Sequence, residues 1–215
     1  MSKRTWDVVS LAAIGGAGGA SLALYDRLPQ EVPTHFDLHG QPNGWMSRPW
    51  AASFLLIFTL ALWIFIRFVR KLLPRSDKAR LTPELAAVVA MLTAVFLSAV
   101  HVLILRIAIA PGVDVTTSVY LLVGVLFVTI GLVLPRVRRN PIIGVRTPWT
   151  LRSDENWART QRVAGYTMVL GGIGAAAAGA AGGVAGGIAA FTCLAAASLF
   201  PVIYSLHLAR RNDVG

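Results

Sequence analysis

Six apolar stretches of membrane-spanning length, approximately residues 8–25, 51–66, 85–110, 118–134, 163–181 and 184–206, limit what this chain can fold into more than any other feature. A helix crossing a bilayer needs about 20 apolar residues, so the pattern predicts six transmembrane helices. The last two stretches cannot form one helix, because the 44 residues from 163 to 206 would extend about 66 Å, roughly twice the hydrocarbon core. A turn near Gly182 is therefore required. Charged residues make up only 14% of the 215 and hydrophobic residues 55%, with a mean hydropathy of +0.64, whereas soluble domains are roughly a quarter charged. A large water-soluble domain is excluded. The expected fold is all-α, a polytopic membrane helical bundle with short extended elements in its first outer loop. Its expected divisions are residues 1–50, holding the first helix and outer loop; 51–134, holding helices two to four; and 135–215, holding a polar loop and the last two helices.

Charge orients the spans. Lys3 and Arg4 precede the first; Arg67, Arg70, Lys71, Arg75, Lys78 and Arg80 follow the second; seven arginines follow the fourth; Arg210 and Arg211 follow the sixth. These alternate loops hold seventeen of the twenty basic residues, and the positive-inside rule places them, with both termini, in the cytoplasm. The net charge of +10 is then a topological signal, and no direct nucleic-acid binding is expected. The first span, with basic residues ahead of it and small residues at Ser21–Ala23, also has signal-sequence features; it is expected to remain uncleaved. Cys193 is alone, so no intrachain disulfide forms. Gly15 with Gly19, and Gly179 with Gly183, have the spacing that lets helices pack closely. They mark seams within one bundle or a homo-oligomer contact.

The first outer loop carries four prolines and two glycines between Leu28 and Trp50, which predict extended pieces joined by turns. Residues 32–38 read as a strand or extended arm and residues 41–44 as a turn. In an extended chain His35, Asp37 and His39 would point to one side. That pattern could ligate zinc or fix the loop through local hydrogen bonds, with His39 exposed; neither metal nor cofactor is expected. Trp45 and Trp50 are interfacial anchors.

Inside the third span, Thr82, Pro83 and Glu84 have the character of an N-cap and first turn. His101 and Arg106 are ionisable residues in apolar sequence, and such groups are functional candidates. Arg106 is near enough to the helix end to snorkel, while His101 is either hydrogen-bonded in the bundle or part of a proton relay.

The polar segment after the fourth span, residues 135–162, combines Asn140-Pro141, Gly144, Arg146-Thr147-Pro148 and Ser153. Proline disfavours helical geometry before it, so Asn140-Pro141 is expected to break the fourth helix. Ser153 is a good N-cap, with Asp154 and Glu155 in a first turn where the helix dipole favours anions. Glu155 and Arg159 are spaced to pair. Trp149 and Trp157 read as interfacial tryptophans if the segment serves only to bind lipid.

The run NPIIGVRTPWTLRSDENWARTQRVAG resembles the signature of the SdpI-type bacterial membrane proteins, matching it at Asn140, Gly144, Val145, Arg146, Thr147, Thr150, Leu151, Ser153, Trp157, Arg162 and Gly165. LPxxVPTHFDxxGxPxGW, from Leu28, is similar to a small N-terminal domain often fused to that family. One departure is Gln161, where many relatives carry histidine or asparagine. The resemblance implies a plasma-membrane protein of immunity and signalling type, since the family is named for a protein that protects a cell from its own secreted killing peptide and recruits a repressor.

On this reading His35, Asp37, Gly40 and Asn43 shape an outer surface for a secreted peptide toxin or envelope ligand. Asn140, Gly144, Arg146, Thr147, Trp157 and Arg162 shape an inner surface for a cytoplasmic regulator. The first three arginines of the segment anchor it to membrane lipids, and Arg146 grips a carboxylate or phosphate through its planar fork. A membrane enzyme or small-solute transporter has little support, because HExxH, GxSxG and P-loop motifs are absent; no catalytic residue is assigned. A structural helical partner for another membrane protein is the remaining alternative.

Overall fold

A computed structural model describes residues 3–37, 39–72, 82–110, 112–140 and 142–212. Expectations for Leu38, Arg75, Lys78, Arg80 and Pro141 lie outside the described residues. Among the described residues there are seven α-helices: α1 (Lys3–Leu24), α2 (Arg48–Leu72), α3 (Pro83–Ile109), α4 (Val115–Val133), α5 (Pro148–Arg152), α6 (Asp154–Ala180) and α7 (Gly183–Asn212). All but the five-residue α5 are long and apolar enough to cross a membrane. This is a six-span helical membrane protein. The only sheet among the described residues is an antiparallel hairpin, β1 (Glu31–Phe36) with β2 (Pro42–Ser47).

Local chemistry sets several helix ends as expected. Pro83 opens α3 with Glu84 in its first turn, and Ser153 Oγ accepts the Asn156 N–H at 3.1 Å to cap α6. Gly182 and Gly183 take positive φ, +73° and +65°, between α6 and α7; such angles cost glycine little. The required turn falls there. The fourth helix departs from expectation. It ends at Val133, and Pro135 sits in a 3-10 turn over Leu134–Arg136. That proline lacks the N–H needed to continue the helix, so α4 has stopped before Asn140 is reached.

The chain forms two compact units. The first contains α1, the hairpin, α2, α3 and the part of α4 up to Leu122. Both α1 and α2 pack on α3, whose Ala86, Ala90, Ala94, Ser98, His101 and Leu105 are buried along one stripe. Small residues at this helical spacing let backbones approach in a bilayer, where lipid tails leave no hydrophobic drive for helix association. Asp7 of α1 and Arg67 of α2 form a bidentate pair, Nε–Oδ1 2.6 Å and Nη2–Oδ2 2.9 Å. Under the hairpin, Leu28 and Val32 are buried against Ala51, Ala52 and Leu105.

The second unit runs from Val123 through α7. Here α6 packs along α7 and meets α4 through glycine. A Cβ built on Gly172 would lie 2.5 Å from the Gly124 carbonyl oxygen, and one on Gly131 would lie 2.7 Å from that of Gly165. The other side of α6 is equally close to α7, since a Cβ on Gly171 would lie 2.4 Å from Ala197 Cβ. Of the glycines expected to mark seams, Gly179 is buried in α6, and the other three behave differently. Around Gly15, Gly19 and Gly183 an added Cβ meets nothing within 4 Å.

Candidate functional site

The segment between α4 and α6 is built outward from buried polar side chains. Asn140, 1% exposed, uses its whole amide. Its Oδ1 accepts the N–H groups of Ile142 and Ile143, both at 2.8 Å, and its Nδ2 donates to Arg138 O at 2.8 Å and Ile143 O at 3.1 Å. An asparagine in this role substitutes for backbone partners that a turn cannot supply. The chain then reaches Gly144 at φ +114°, a conformation that L side chains rarely adopt.

Gln161 of α6 holds the next residue. Its Oε1 accepts the Val145 N–H at 3.0 Å and its Nε2 donates to the Val145 carbonyl at 3.1 Å. A Cβ on Gly144 would stand 2.8 Å from the same Oε1. Glycine at 144 and an amide at 161 are thus one device. The departure from histidine or asparagine at 161 is here a neutral, fully buried clamp.

Thr147 and Thr150 then cap α5 reciprocally: Thr147 Oγ1 accepts the Thr150 N–H at 3.2 Å, and Thr150 Oγ1 accepts the Thr147 N–H at 2.9 Å. Helix α7 closes the assembly through Ser205. Trp149 Nε1 donates to Ser205 Oγ at 2.8 Å, and Asn156 Nδ2 donates to the Ser205 carbonyl at 3.0 Å. Thr160 donates to Asn156 Oδ1 at 3.0 Å, and Trp157 Nε1 to the Val137 carbonyl at 2.8 Å. Buried polar atoms that all find partners fix one conformation, because leaving any of them unpaired is costly.

The expected inner residues fall into two groups. Asn140, Thr147 and Trp157 are buried members of this framework, with Gly144 beside them; Arg146 and Arg162 are exposed. Trp157 is 2% exposed, which corrects its reading as an interfacial tryptophan. Arg139 also departs from the anchoring role given to the first three arginines. Its Nε lies 2.6 Å from Asp154 Oδ1 and its Nη1 donates to Leu151 O at 2.6 Å, so it ties the loop to the start of α6. Arg136 and Arg138 remain exposed, and Glu155 pairs with Arg159 at 3.0 Å as the spacing predicts. Sequence reasoning missed Asn156, Thr160 and Ser205 as site residues. Asn156 and Thr160 stand four apart, the one signal that could have joined them on a helix face; nothing near Ser205 pointed to a loop some fifty residues earlier.

The outer residues build a smaller structure. β1 ends at Phe36 and β2 begins at Pro42, so the reversal comes before residue 42 and 41–44 belong mostly to β2. Asp37 is the cause: its Oδ1 accepts the N–H groups of His39 and Gln41, each at 2.8 Å, and its carbonyl accepts that of Gly40 at 3.0 Å. The turn ends the alternation that would have set His35, Asp37 and His39 on one side. His35 Nδ1 instead hydrogen-bonds Asn43 Oδ1 across the hairpin, and Gly40 supplies a positive φ of +74°. His39 is exposed, with Nδ1 3.7 Å from Asp37 Oδ2. The Gln41 N–H above all, and then the N–H and charge of His39, hold the Asp37 carboxyl below its ordinary 3.8, while partial desolvation opposes them. No group of three potential metal ligands occurs among the described residues.

Between the helices of the first unit, His101 is 1% exposed and its Nε2 lies 2.6 Å from Ser21 Oγ. Its Nδ1 and the hydroxyl of Ser98 have no hydrogen-bond partner among the described residues. Arg106 is exposed in the last turn of α3.

Residues 136–205 match the SdpI/YfhL protein family, and residues 12–65 match a domain of unknown function, DUF1648. The immunity protein SdpI of Bacillus subtilis (strain 168) is 24% identical over 166 residues, covering 77% of this chain and 77% of that relative. No solved structure matches. The first match takes in the whole buried framework from Val137 to Ser205, and the second takes in the hairpin.

Proposed function

We propose that this chain, a member of the SdpI family through residues 136–205, is a membrane immunity protein. Its hairpin receives a secreted peptide or envelope ligand, and its α4–α6 segment passes the signal to a cytoplasmic regulator. One observation carries the reading: Arg146 is exposed between Val145 and Thr147, two positions pinned by Gln161 and by the Thr147–Thr150 cap. A loop that only needed positive charge would not require the buried hydrogen bonds that Asn140, Gln161 and Thr150 make beneath it. A rigidly presented guanidinium is suited to bidentate capture of a carboxylate or phosphate. The reading assigns no chemistry to the chain, and the likeness to a named immunity protein supports it.

The test is protection. A susceptible bacterium expressing the chain is challenged with the secreted peptide fraction of the source organism, and survival is compared for wild type, Arg146→Lys and Arg146→Ala at matched membrane levels. Both variants should lose most protection, because lysine keeps the charge without the fork. Full protection by Arg146→Lys would remove the fork from the mechanism, and full protection by Arg146→Ala would remove the loop. A strain that gains no protection from the wild-type chain would overturn the immunity reading itself.

A further inference from the structure

We infer that the groove between α1 and α2 holds one phospholipid of the surrounding membrane, with an acyl chain along the glycines of α1 and its headgroup at Arg48. The groove is a cavity of about 800 Å³ whose walls include Gly15, Gly18, Gly19, Leu56 and Ile57 at one end and Ser21 and Tyr25 towards the other. Missing side chains create it. A Cβ on Gly15 or Gly19 would meet nothing within 4 Å, and one on Gly18 would meet only Leu56 Cδ1 at 3.9 Å. Both helices are of membrane-spanning length and hydropathy, so the medium beside this void is hydrocarbon. Atoms lining an open groove that nothing fills forfeit their dispersion contacts. A lipid tail supplies those contacts without a partner protein.

The polar groups choose a phospholipid over a bare hydrocarbon. Arg48 stands over the ring of Tyr25, which lines the groove, with its Cζ 5.7 Å from the centroid and its Nε donating to the Pro29 carbonyl at 3.5 Å, which sets a cation beside one end of a mostly apolar groove. A guanidinium there matches a phosphate in charge and in hydrogen-bond geometry. Ser21 lies four residues before Tyr25, about 6 Å along a helix. It is 5% exposed, lines the groove and is bonded to His101 Nε2 at 2.6 Å. With the imidazole proton on Nε2, histidine donates to Ser21, and the serine hydroxyl proton is left to donate into the groove. The unpartnered Nδ1 of His101 is then a bare acceptor rather than an orphaned donor. In that tautomer a serine lining the groove one turn below Tyr25 is placed for an ester carbonyl of the same lipid.

The full chain reconstituted into nanodiscs with equal dioleoyl phosphatidylglycerol and dioleoyl phosphatidylcholine, then released for native mass spectrometry, tests this assignment. Wild type should retain one phospholipid per chain, enriched in phosphatidylglycerol. Gly15→Leu with Gly19→Leu should fill the groove and lower retention at least tenfold, while Arg48→Gln should keep the lipid and lose the preference for phosphatidylglycerol. Equal retention by wild type and the double variant would overturn the proposal. So would a wild-type dimer that the double variant dissolves, because the groove would then hold a second copy. Failure of the double variant to fold would contradict the open space on which the inference stands.

Discussion

The glycines of α6 and those of α1 lie in helices of similar apolar character and do opposite things. In the second unit Gly165 and Gly172 face Gly131 and Gly124 of α4, seven residues apart on each helix, so two antiparallel backbones touch at two successive crossings. In the first unit Gly15 and Gly19 carry the four-residue spacing associated with close helix pairs, yet among the described residues an added Cβ on either meets nothing within 4 Å. Spacing makes a close approach possible; the partner helix decides whether it happens. The buried polar atoms divide in the same way. Most of those of the α4–α6 segment find hydrogen-bond partners within the second unit, with Arg139 Nε meeting Asp154 only as an ion pair, whereas His101 Nδ1 and Ser98 Oγ of the first unit find none among the described residues.

The largest expected effect tests the closed seam. Gly172→Leu drives a side chain into the Gly124 carbonyl, so it should cost about 3 kcal/mol or more and deplete the folded protein from membranes. Normal thermal unfolding of that variant in detergent would show that the α4–α6 crossing is open. Next is the clamp. Gln161→Leu keeps the bulk and strands the Val145 N–H, while the Val145 carbonyl keeps the Thr150 hydroxyl at 3.0 Å, which should destabilise by about 1–3 kcal/mol, measured as a lowered unfolding midpoint. If Gln161→Leu is neutral while Gly144→Ala is not, the positive φ rather than the amide sets the loop. Trp157→Phe should cost a similar or larger amount, since at a residue 2% exposed it removes the bond to the Val137 carbonyl and also leaves space where the larger indole packed.

A smaller effect concerns acid. Asp37 has a folded-state pKa below its ordinary value of 3.8, so its contribution to the hairpin is present above the unfolded pKa and is lost as pH falls through the lower folded one. Trp45 fluorescence should therefore hold constant from neutrality and change with a midpoint below 3.8. A midpoint above 3.8 would remove Asp37 as the turn's organiser, and Asp37→Asn should abolish the transition. The smallest effect belongs to the open glycines. Gly15→Ala and Gly19→Ala should shift stability by about 0.5 kcal/mol at most in the unfavourable direction, and alanine's better helix propensity offsets even that. A large loss would mean that the α1 face is covered in the membrane.

Much of this was legible before any coordinates. The six spans, the Gly182 turn, the Ser153 cap and the Glu155–Arg159 pair follow from length, sterics and helical spacing, all of which act over a few residues. The β1–β2 hairpin was legible as extended pieces, but its turn was not: the Asp37 carboxylate accepts N–H groups two and four residues on, and prolines pointed to a later bend. Helix α5 was missed because five residues carry no periodicity, and its cap is made by two threonines within a segment that reads as loop. The inner site was half legible. Its glycine, asparagine and threonines stood out as a run too specific for charge alone, but the run could not reveal that Asn140 and Trp157 are scaffold while Arg146 and Arg162 are surface.

By itself, the sequence determined that the chain spans a membrane six times and where most helices begin and end, because hydrophobic length and capping are local properties. Only the tertiary structure decided which glycines close and which stay open, that Arg139 binds Asp154 instead of serving merely as an anchor, and that Ser205 completes a loop some fifty residues away. Those outcomes depend on which surfaces meet, and a contact between distant residues leaves no periodic trace in either segment.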